Sequence, residues 1–147
     1  MPSAVIDTCV VIDMLMSTRP RHPQASRLRR ELIRVNVVAK LPMFAIFEIN
    51  HATRQEQRLS RGKLVTGADT GGFSVDFVPV DEAFVKKYFD VNLPEMRAGD
   101  LLFASLAKGE GLPLITEDLE FAKIAKTAGI RVLSTSEYEQ ELATVAV

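Results

Sequence analysis

Disulfide pairs, tryptophan and long apolar segments are all missing from this 147-residue chain. Its single cysteine, Cys9, excludes an internal disulfide framework and suits a reducing compartment. No apolar run approaches the roughly 18 residues that a membrane-spanning helix needs. Residues 1–5 lack the basic start and long apolar core of a secretory signal. We therefore expect a soluble, cytoplasmic protein with no membrane attachment.

Two familiar binding motifs are also absent. Residues 62–72 hold four of the eight glycines, yet they contain neither G-x-x-x-x-G-K-[ST] nor G-x-G-x-x-G, so nucleotide binding has no support. His51 has no second histidine at metal-ligand spacing, and we read it as a helix-surface residue. These absences direct attention to the acidic residues.

The composition that remains is that of an ordinary globular protein, with 47% hydrophobic and 25% charged residues. Its length predicts one domain spanning residues 1–147. The net charge of −1 hides an uneven distribution, because residues 19–63 carry eleven Lys or Arg and three acids, a net +8, and the rest carry −9. A basic face opposite an acidic one suits a nuclease, which steers phosphates and holds cations. An equally good explanation of this uneven charge is that the exposed helices are simply rich in arginine.

The hydrophobic pattern predicts strands that alternate with helices. Short apolar or β-branched runs predict strands, and longer amphipathic or apolar stretches predict the helices between them. Helical connections of about ten residues or more indicate parallel strands, so we predict a three-layer α/β/α fold with a central, mainly parallel sheet of four to five strands. The predicted strands are Ala4–Ile6, Val37–Leu41, Phe73–Val80, Pro113–Thr116 and Arg131–Leu133, and the main helices are Pro23–Val35, Met43–Arg61, two that begin at Asp81 and Asp100, one after Asp118, and one from Ser134 to about Ala143.

Acidic residues recur at equivalent positions in this pattern. Asp7 follows the first strand, Asp118 follows the fourth, and Asp100 opens an apolar helix. Because the carboxyl ends of parallel strands share one edge of a sheet, the three carboxylates are expected to converge there. Glu48, inside the apolar run FAIFEI, is the natural fourth. Each has a structural alternative: helix capping for the three aspartates and an arginine ion pair for Glu48.

Clustered carboxylates repel one another and raise one another's pKa unless a cation lies between them. Oxygen ligands without histidine point to Mg²⁺ or Mn²⁺ rather than zinc. Such ions hold phosphate oxygens and activate water for in-line displacement. The pattern therefore predicts metal-dependent phosphodiester hydrolysis.

The motifs VIDTCVVID, FAIFEI, DLLFASLA and ITEDLEF, in this order, resemble those of PIN-domain ribonucleases, and most closely the VapC-type toxins of toxin–antitoxin pairs. The resemblance covers essentially the whole chain. It implies that the family's four metal-binding acids correspond to Asp7, Glu48, Asp100 and Asp118, with Thr8 and Thr116 as supporting hydroxyls. It also implies an RNA substrate, a cognate antitoxin and a homodimer. Cys9 and Glu117 depart from the family pattern, and Asp13 and Glu120 are extra acids that we do not expect to bind the metal.

Two helix faces carry arginines at helical spacing, and we predict that they contact RNA or an acidic antitoxin segment. These are Arg27, Arg30 and Arg34 on one helix and Arg54, Arg58 and Arg61 on the next. Three other functions remain open: a PIN nuclease of RNA maturation or structured DNA, a non-catalytic binding module, and a receiver-like phosphoacceptor domain. The last lacks the acidic pair and the later lysine that its chemistry needs.

Overall fold

The computed structural model describes residues 2–59 and 72–147, without the side chains of residues 55–59. Over these ranges a five-stranded, all-parallel sheet has the order β3-β2-β1-β4-β5. It is flanked by helices in three α/β/α layers, which confirms the predicted fold class. The strands are β1 (Ser3–Ile6), β2 (Val38–Pro42), β3 (Val75–Val78), β4 (Leu114–Ile115) and β5 (Val132–Leu133). The helices are α1 (Thr8–Leu15), α2 (His22–Val35), α3 (Phe44–Leu59), α4 (Glu82–Tyr88), α5 (Ala98–Glu110), α6 (Leu119–Thr127) and α7 (Thr135–Ala143).

Strand β1 lies at the centre of the sheet because its sequence has no polar break. Ala4, Val5 and Ile6 are all fully buried, as expected for a strand covered on both faces. Val5 pairs with Lys40 of β2 on one side and with Leu114 of β4 on the other. The chain order reverses between these two neighbours, and such a switch point opens a crevice at the carboxyl ends of the strands.

The helices cover the sheet through the apolar faces that their periodicity predicts. Ala25, Leu28 and Leu32 of α2, spaced at i, i+3 and i+7, are buried, and α2 packs against α1 and α7. Helix α5 packs against β1, β2 and β4 through a central stretch, residues 103–107, that is entirely buried. Among the described residues, no helix is both long enough and apolar enough to cross a membrane.

Helix termini follow the local capping signals. The side chain of Asp81 accepts a hydrogen bond from the Phe84 amide at 2.9 Å, as predicted for the start of α4. Ser134 and Glu137 form a capping box at the start of α7. Side-chain oxygens there satisfy amide groups that have no partner within the helix.

Several predicted details differ from the structure. The apolar pattern predicts Phe84, Val85, Tyr88 and Val91 on the inner side of the helix after Asp81. Val85 and Val91 are instead exposed, because α4 ends at Tyr88 and only Phe84 and Tyr88, one turn apart, reach the interior. Helix α5 begins at Ala98, so Asp100 lies within its first turn instead of opening it. Strand β3 keeps only four of the eight predicted residues. The predicted end of α3 at Arg61 and most of the glycine-rich stretch lie outside the described residues.

Candidate metal-binding cleft

A cleft of about 370 Å³ opens at the carboxyl edge of β1 and β4. All four acids singled out from the sequence line it, although up to 111 residues separate them in the chain. The full lining is Asp7, Thr8, Cys9, Ile12, Arg19, Glu48, Arg97, Gly99, Asp100 and Asp118. The structure thus brings the sequence-predicted quartet together at one site.

Asp7 occupies the N-cap position of α1, but its side chain makes no capping hydrogen bond. Its carboxylate instead accepts a hydrogen bond from Thr116 Oγ1 at 2.7 Å and one from the Cys9 thiol at 3.5 Å. Among the described residues it has no ion pair. The Asp7 side chain therefore does not cap α1.

Glu48 reaches the cleft from α3, where its carboxylate accepts a hydrogen bond from Thr8 Oγ1 at 2.9 Å. Within residues 2–59 and 72–147 no described Lys or Arg side chain pairs with this carboxylate, so the structure shows no arginine ion pair for Glu48. Glu48 is half-buried and carries a negative charge without a compensating cation.

Asp100 and Asp118 differ from the other two acids because an arginine holds them both. Arg97 Nε donates to Asp100 Oδ2 at 3.2 Å, and Arg97 Nη2 donates to Asp118 Oδ2 at 3.0 Å. The other oxygen of Asp118 caps α6 by accepting from the Phe121 amide at 3.1 Å. Asp118 therefore caps a helix, as the structural alternative proposed, and lines the cleft at the same time. Asp100 does not cap α5, because Arg97 occupies the N-cap position of that helix.

Two buried threonines connect the acids to the sheet. Thr8 and Thr116 are each 3% exposed. Thr8 donates to Glu48, and Thr116 donates to Asp7 while accepting from the Asp118 amide at 3.1 Å. Because a buried hydroxyl with both partners fixed holds its neighbours in place, Thr116 sets the position of Asp7 relative to the start of α6.

Burial and mutual repulsion disfavour the charged forms of Asp7 and Glu48. Desolvation raises the pKa of Asp7 above its ordinary value despite the hydrogen bond from Thr116, and the charge of Asp100 raises it further. Desolvation likewise raises the pKa of Glu48, and the charges of Asp7 and Asp100 add to that increase. Burial, with the charge of Asp7, raises the pKa of Cys9 to about 12. In the absence of a neutralising cation, the cleft thus disfavours negative charge on Asp7 and Glu48.

The donor chemistry of this cleft fits a hard divalent cation. Four carboxylates and no histidine line it, and two of those carboxylates lack any cationic partner in the described part of the chain. As arranged, no three His, Cys, Asp or Glu side chains of the described residues lie close enough together to hold an ion jointly. Asp100 and Asp118 are instead paired with Arg97. A cation that uses all four acids therefore competes with this guanidinium for Asp100 and Asp118.

Sequence reasoning missed two arginines of the cleft. Arg97 follows an irregular stretch with no periodicity that would indicate its direction. Arg19 also lines the cleft, and its Nε donates to the carboxylate of Asp13 at 2.9 Å. Asp13, only 4% exposed, is thus a buried partner that fixes an arginine beside the acids. The charge count over residues 19–63 included Arg19 without indicating its position.

The predicted arginine faces lie elsewhere. Arg27 approaches Glu139 of α7 at 3.5 Å, and Arg34 donates to the carbonyl oxygens of Leu142 and Val145. These two arginines therefore join α2 to α7, and neither lines the cleft. Arg30 is exposed, Arg54 contacts its neighbour His51, and Arg61 and the side chain of Arg58 lie outside the described residues.

The extra acids near the motifs do not line the cleft. Glu117 accepts a hydrogen bond from the Thr135 amide at 2.8 Å, at the start of α7, and lies 3.9 Å from Arg21. Glu120 is exposed on α6. Asp13 is buried against Arg19, Glu120 is exposed and Glu117 lies at the start of α7, so the cleft lining includes none of the three.

An apolar groove of about 320 Å³ adjoins the acidic cleft and shares Gly99 with it. Helices α3, α4 and α5 form its walls. Several of its aromatic and aliphatic side chains are unusually exposed for their type, including Phe44, Val85 and Phe89. The groove therefore offers an apolar surface next to a charged one.

Comparison with known proteins gives one family. The family model of the PIN domain matches residues 4–127. None of the curated proteins searched matches the chain. The match extends from β1 to the end of α6 and so includes every acid of the cleft. This chain belongs to the PIN domain family.

Proposed function

We propose that this chain is a Mg²⁺-dependent endoribonuclease and that it acts as a VapC-type toxin restrained by an antitoxin. PIN domains are generally metal-dependent nucleases, and those that act as nucleases cleave RNA. The observation that carries the proposal is the convergence of Asp7, Glu48, Asp100 and Asp118 on one cleft at the strand ends. Two of these acids have raised pKa values and no cation of their own among the described residues.

In the proposed mechanism Asp7, Glu48, Asp100 and Asp118 would hold the cation. When bound there, Mg²⁺ or Mn²⁺ would supply positive charge to polarise the scissile phosphate and to lower the pKa of the attacking water. Thr8 and Thr116 fix the carboxylates of Glu48 and Asp7 through hydrogen bonds of 2.9 and 2.7 Å. Arrangement of charges before the substrate arrives is the main source of electrostatic catalysis.

Arg19 provides a fixed contact for the RNA backbone on the wall of the cleft. Its Nε is held by buried Asp13, while the side chain remains 44% exposed and lines the cleft. A guanidinium presents several donors in a planar fork that matches phosphate oxygens. Of the predicted arginine faces, Arg30 and Arg54 remain exposed for more distant phosphates, whereas Arg27 and Arg34 are occupied by α7.

The nuclease is tested by incubating the purified chain with total RNA and tRNA in Mg²⁺, in Mn²⁺ and in excess EDTA. The Asp7→Asn variant, purified identically, controls for contaminating nucleases. Asp90→Asn removes a partly exposed carboxylate outside the cleft and is the matched control. Cleavage that requires metal, is lost in Asp7→Asn and is retained in Asp90→Asn supports the proposal. Cleavage that persists in Asp7→Asn, or in EDTA, contradicts it, and structured rRNA is the next substrate if neither RNA is cut.

The toxin role is supported by the apolar groove beside the acidic cleft. A peptide with an apolar face for the groove and a basic residue for the cleft complements both surfaces and blocks access to the acids. We propose that a cognate antitoxin supplies such a segment and that the toxin itself is a homodimer. In a bacterial host, induction of the chain is expected to arrest growth, whereas Asp7→Asn is not. Co-expression of the protein encoded beside it should restore growth, and unimpaired growth of the uninhibited wild type refutes the toxin role while leaving the nuclease intact.

A further inference from the structure

Arg97 links the two acids of the cleft that lie on its α5–α6 side. Its guanidinium spans Asp100 at 3.2 Å and Asp118 at 3.0 Å, and these carboxylates are 18 residues apart in sequence. The arginine side chain is 75% exposed, whereas those of Asp100 and Asp118 are 22% and 33% exposed. The long, exposed side chain of Arg97 at the rim of the cleft thus pairs with two of its four acids.

Apart from these two ion pairs, the position of Arg97 is unfavourable for a cation. It occupies the N-cap of α5 and makes no capping hydrogen bond there. The positive end of a helix dipole repels a neighbouring cation. Its only described ion pairs are those to Asp100 and Asp118, so these carboxylates account for its orientation.

We propose that Arg97 is a resident counter-cation of Asp100 and Asp118, which a divalent cation displaces, and that the displaced guanidinium then binds a phosphate of the RNA. This inference rests on the proposed metal-dependent nuclease. The Oδ2 atoms of both aspartates accept from Arg97, and the positive charge of this guanidinium repels a metal ion placed among all four acids.

The exchange is energetically accessible because both ion pairs are solvent-exposed. Exposed pairs are individually weak, so together they are expected to reduce metal affinity by about three- to tenfold. A guanidinium released at the rim remains within one side-chain length of the cleft, where two parallel N–H groups suit a phosphate. Metal binding and RNA binding then become linked through one residue, and the linkage is reciprocal.

The first test measures Mn²⁺ affinity by titration calorimetry for the wild type, Arg97→Ala and Arg97→Lys. Arg131→Ala is the matched control, since it removes an exposed arginine whose partner, Glu141, lies outside the cleft. Arg97→Ala is expected to bind Mn²⁺ about three- to tenfold more tightly, Arg97→Lys to change less, and Arg131→Ala to match the wild type. Thermal unfolding of each variant verifies that it is folded.

The second test measures binding of a labelled single-stranded RNA by fluorescence anisotropy, in EDTA and in Ca²⁺, which replaces Mg²⁺ to slow cleavage. With Ca²⁺, Arg97→Ala is expected to weaken RNA binding about threefold or more, the loss of one charged phosphate contact. In EDTA the effect should be smaller, because the acids already hold the guanidinium of the wild type. RNA affinity that is equal in Ca²⁺ for the wild type and Arg97→Ala overturns the phosphate contact.

The outcomes separate this inference from the function on which it rests. Unchanged or weaker Mn²⁺ binding by Arg97→Ala overturns the counter-cation role, since Arg97 then merely orders the acids, and leaves the metal-dependent nuclease in place. Absence of Mn²⁺ binding by every protein, the wild type included, overturns the proposed function and this inference with it.

Discussion

Replacement of Asp7 by asparagine should stabilise the metal-free protein while it abolishes cleavage. The Asp7 side chain makes no capping hydrogen bond, so asparagine leaves the start of α1 unaffected, and its amide oxygen can accept the hydrogen bond from Thr116. The substitution removes a charge that desolvation and the neighbouring charge of Asp100 disfavour. The pKa of Asp7 is raised even though Thr116 and Cys9 donate to it, which means that the unfavourable contributions outweigh the favourable ones.

The magnitude follows from the size of the chain. Relief of one unfavourable charge commonly adds about 0.5–2 kcal/mol to the free energy of unfolding. With about 2.1 cal/mol/K of unfolding entropy per residue, 147 residues give about 0.3 kcal/mol/K. We therefore expect Asp7→Asn to raise the melting temperature by about 2–6 °C in EDTA at pH 7.5.

The pH dependence gives the sharper test. Because the folded-state pKa of Asp7 is raised, its stabilising contribution is complete below the ordinary value of 3.8 and is lost as the pH rises through the folded-state pKa. The difference in melting temperature between Asp7→Asn and the wild type should therefore be positive at pH 7.5 and shrink towards zero near pH 4. Differential scanning calorimetry at both pH values, in EDTA, measures it.

The control is Asp90→Asn, because the pKa of Asp90 is shifted in the opposite direction to that of Asp7. A hydrogen bond from the Asn92 amide and the nearby Lys108 lower the pKa of Asp90, so loss of its charge should not raise the melting temperature. Added Mg²⁺ should stabilise the wild type more than Asp7→Asn, because a ligand stabilises the state that binds it. A melting temperature that falls in Asp7→Asn at pH 7.5, or a gain that persists unchanged at pH 4, refutes this account of the acidic cleft.

Three further perturbations test other parts of the structure. Arg34→Ala removes donors to the carbonyl oxygens of Leu142 and Val145 and should lower the free energy of unfolding, measured in urea, by about 1–2 kcal/mol. A decrease below about 0.3 kcal/mol means that α7 does not depend on these hydrogen bonds. Cys9 should react slowly with iodoacetamide at pH 8, because its pKa of about 12 keeps the thiol protonated. Alkylation as fast as that of the unfolded chain contradicts this. Phe47, which is 75% exposed on α3, is our candidate for the contact between protomers of the proposed homodimer. Sedimentation should show a dimer that Phe47→Ser weakens, and an equally stable dimer in the variant excludes Phe47 from the interface.

The sequence by itself determined the elements and the identity of the four acids. The β-branched run Ala4–Ile6, the amphipathic face of α2 and the capping box at Ser134 are local signals, and each corresponds to an observed element. The convergence of Asp7 and Asp118 could be anticipated because both follow parallel strands, whose ends must share an edge. These predictions needed only spacing over a few residues and one rule of sheet geometry.

Tertiary structure alone decided which cations meet which acids. Arg97 reaches Asp118 across 21 positions, and Arg34 reaches Leu142 across 108. Helical periodicity placed Arg27 and Arg34 on one face but could not indicate that α7 covers that face. In the same way, the charge pattern gave no sign that Asp13 would be buried against Arg19. A long polar side chain pairs with whatever the folded chain brings within its reach, and that neighbour depends on strand order and helix packing, which no local pattern encodes.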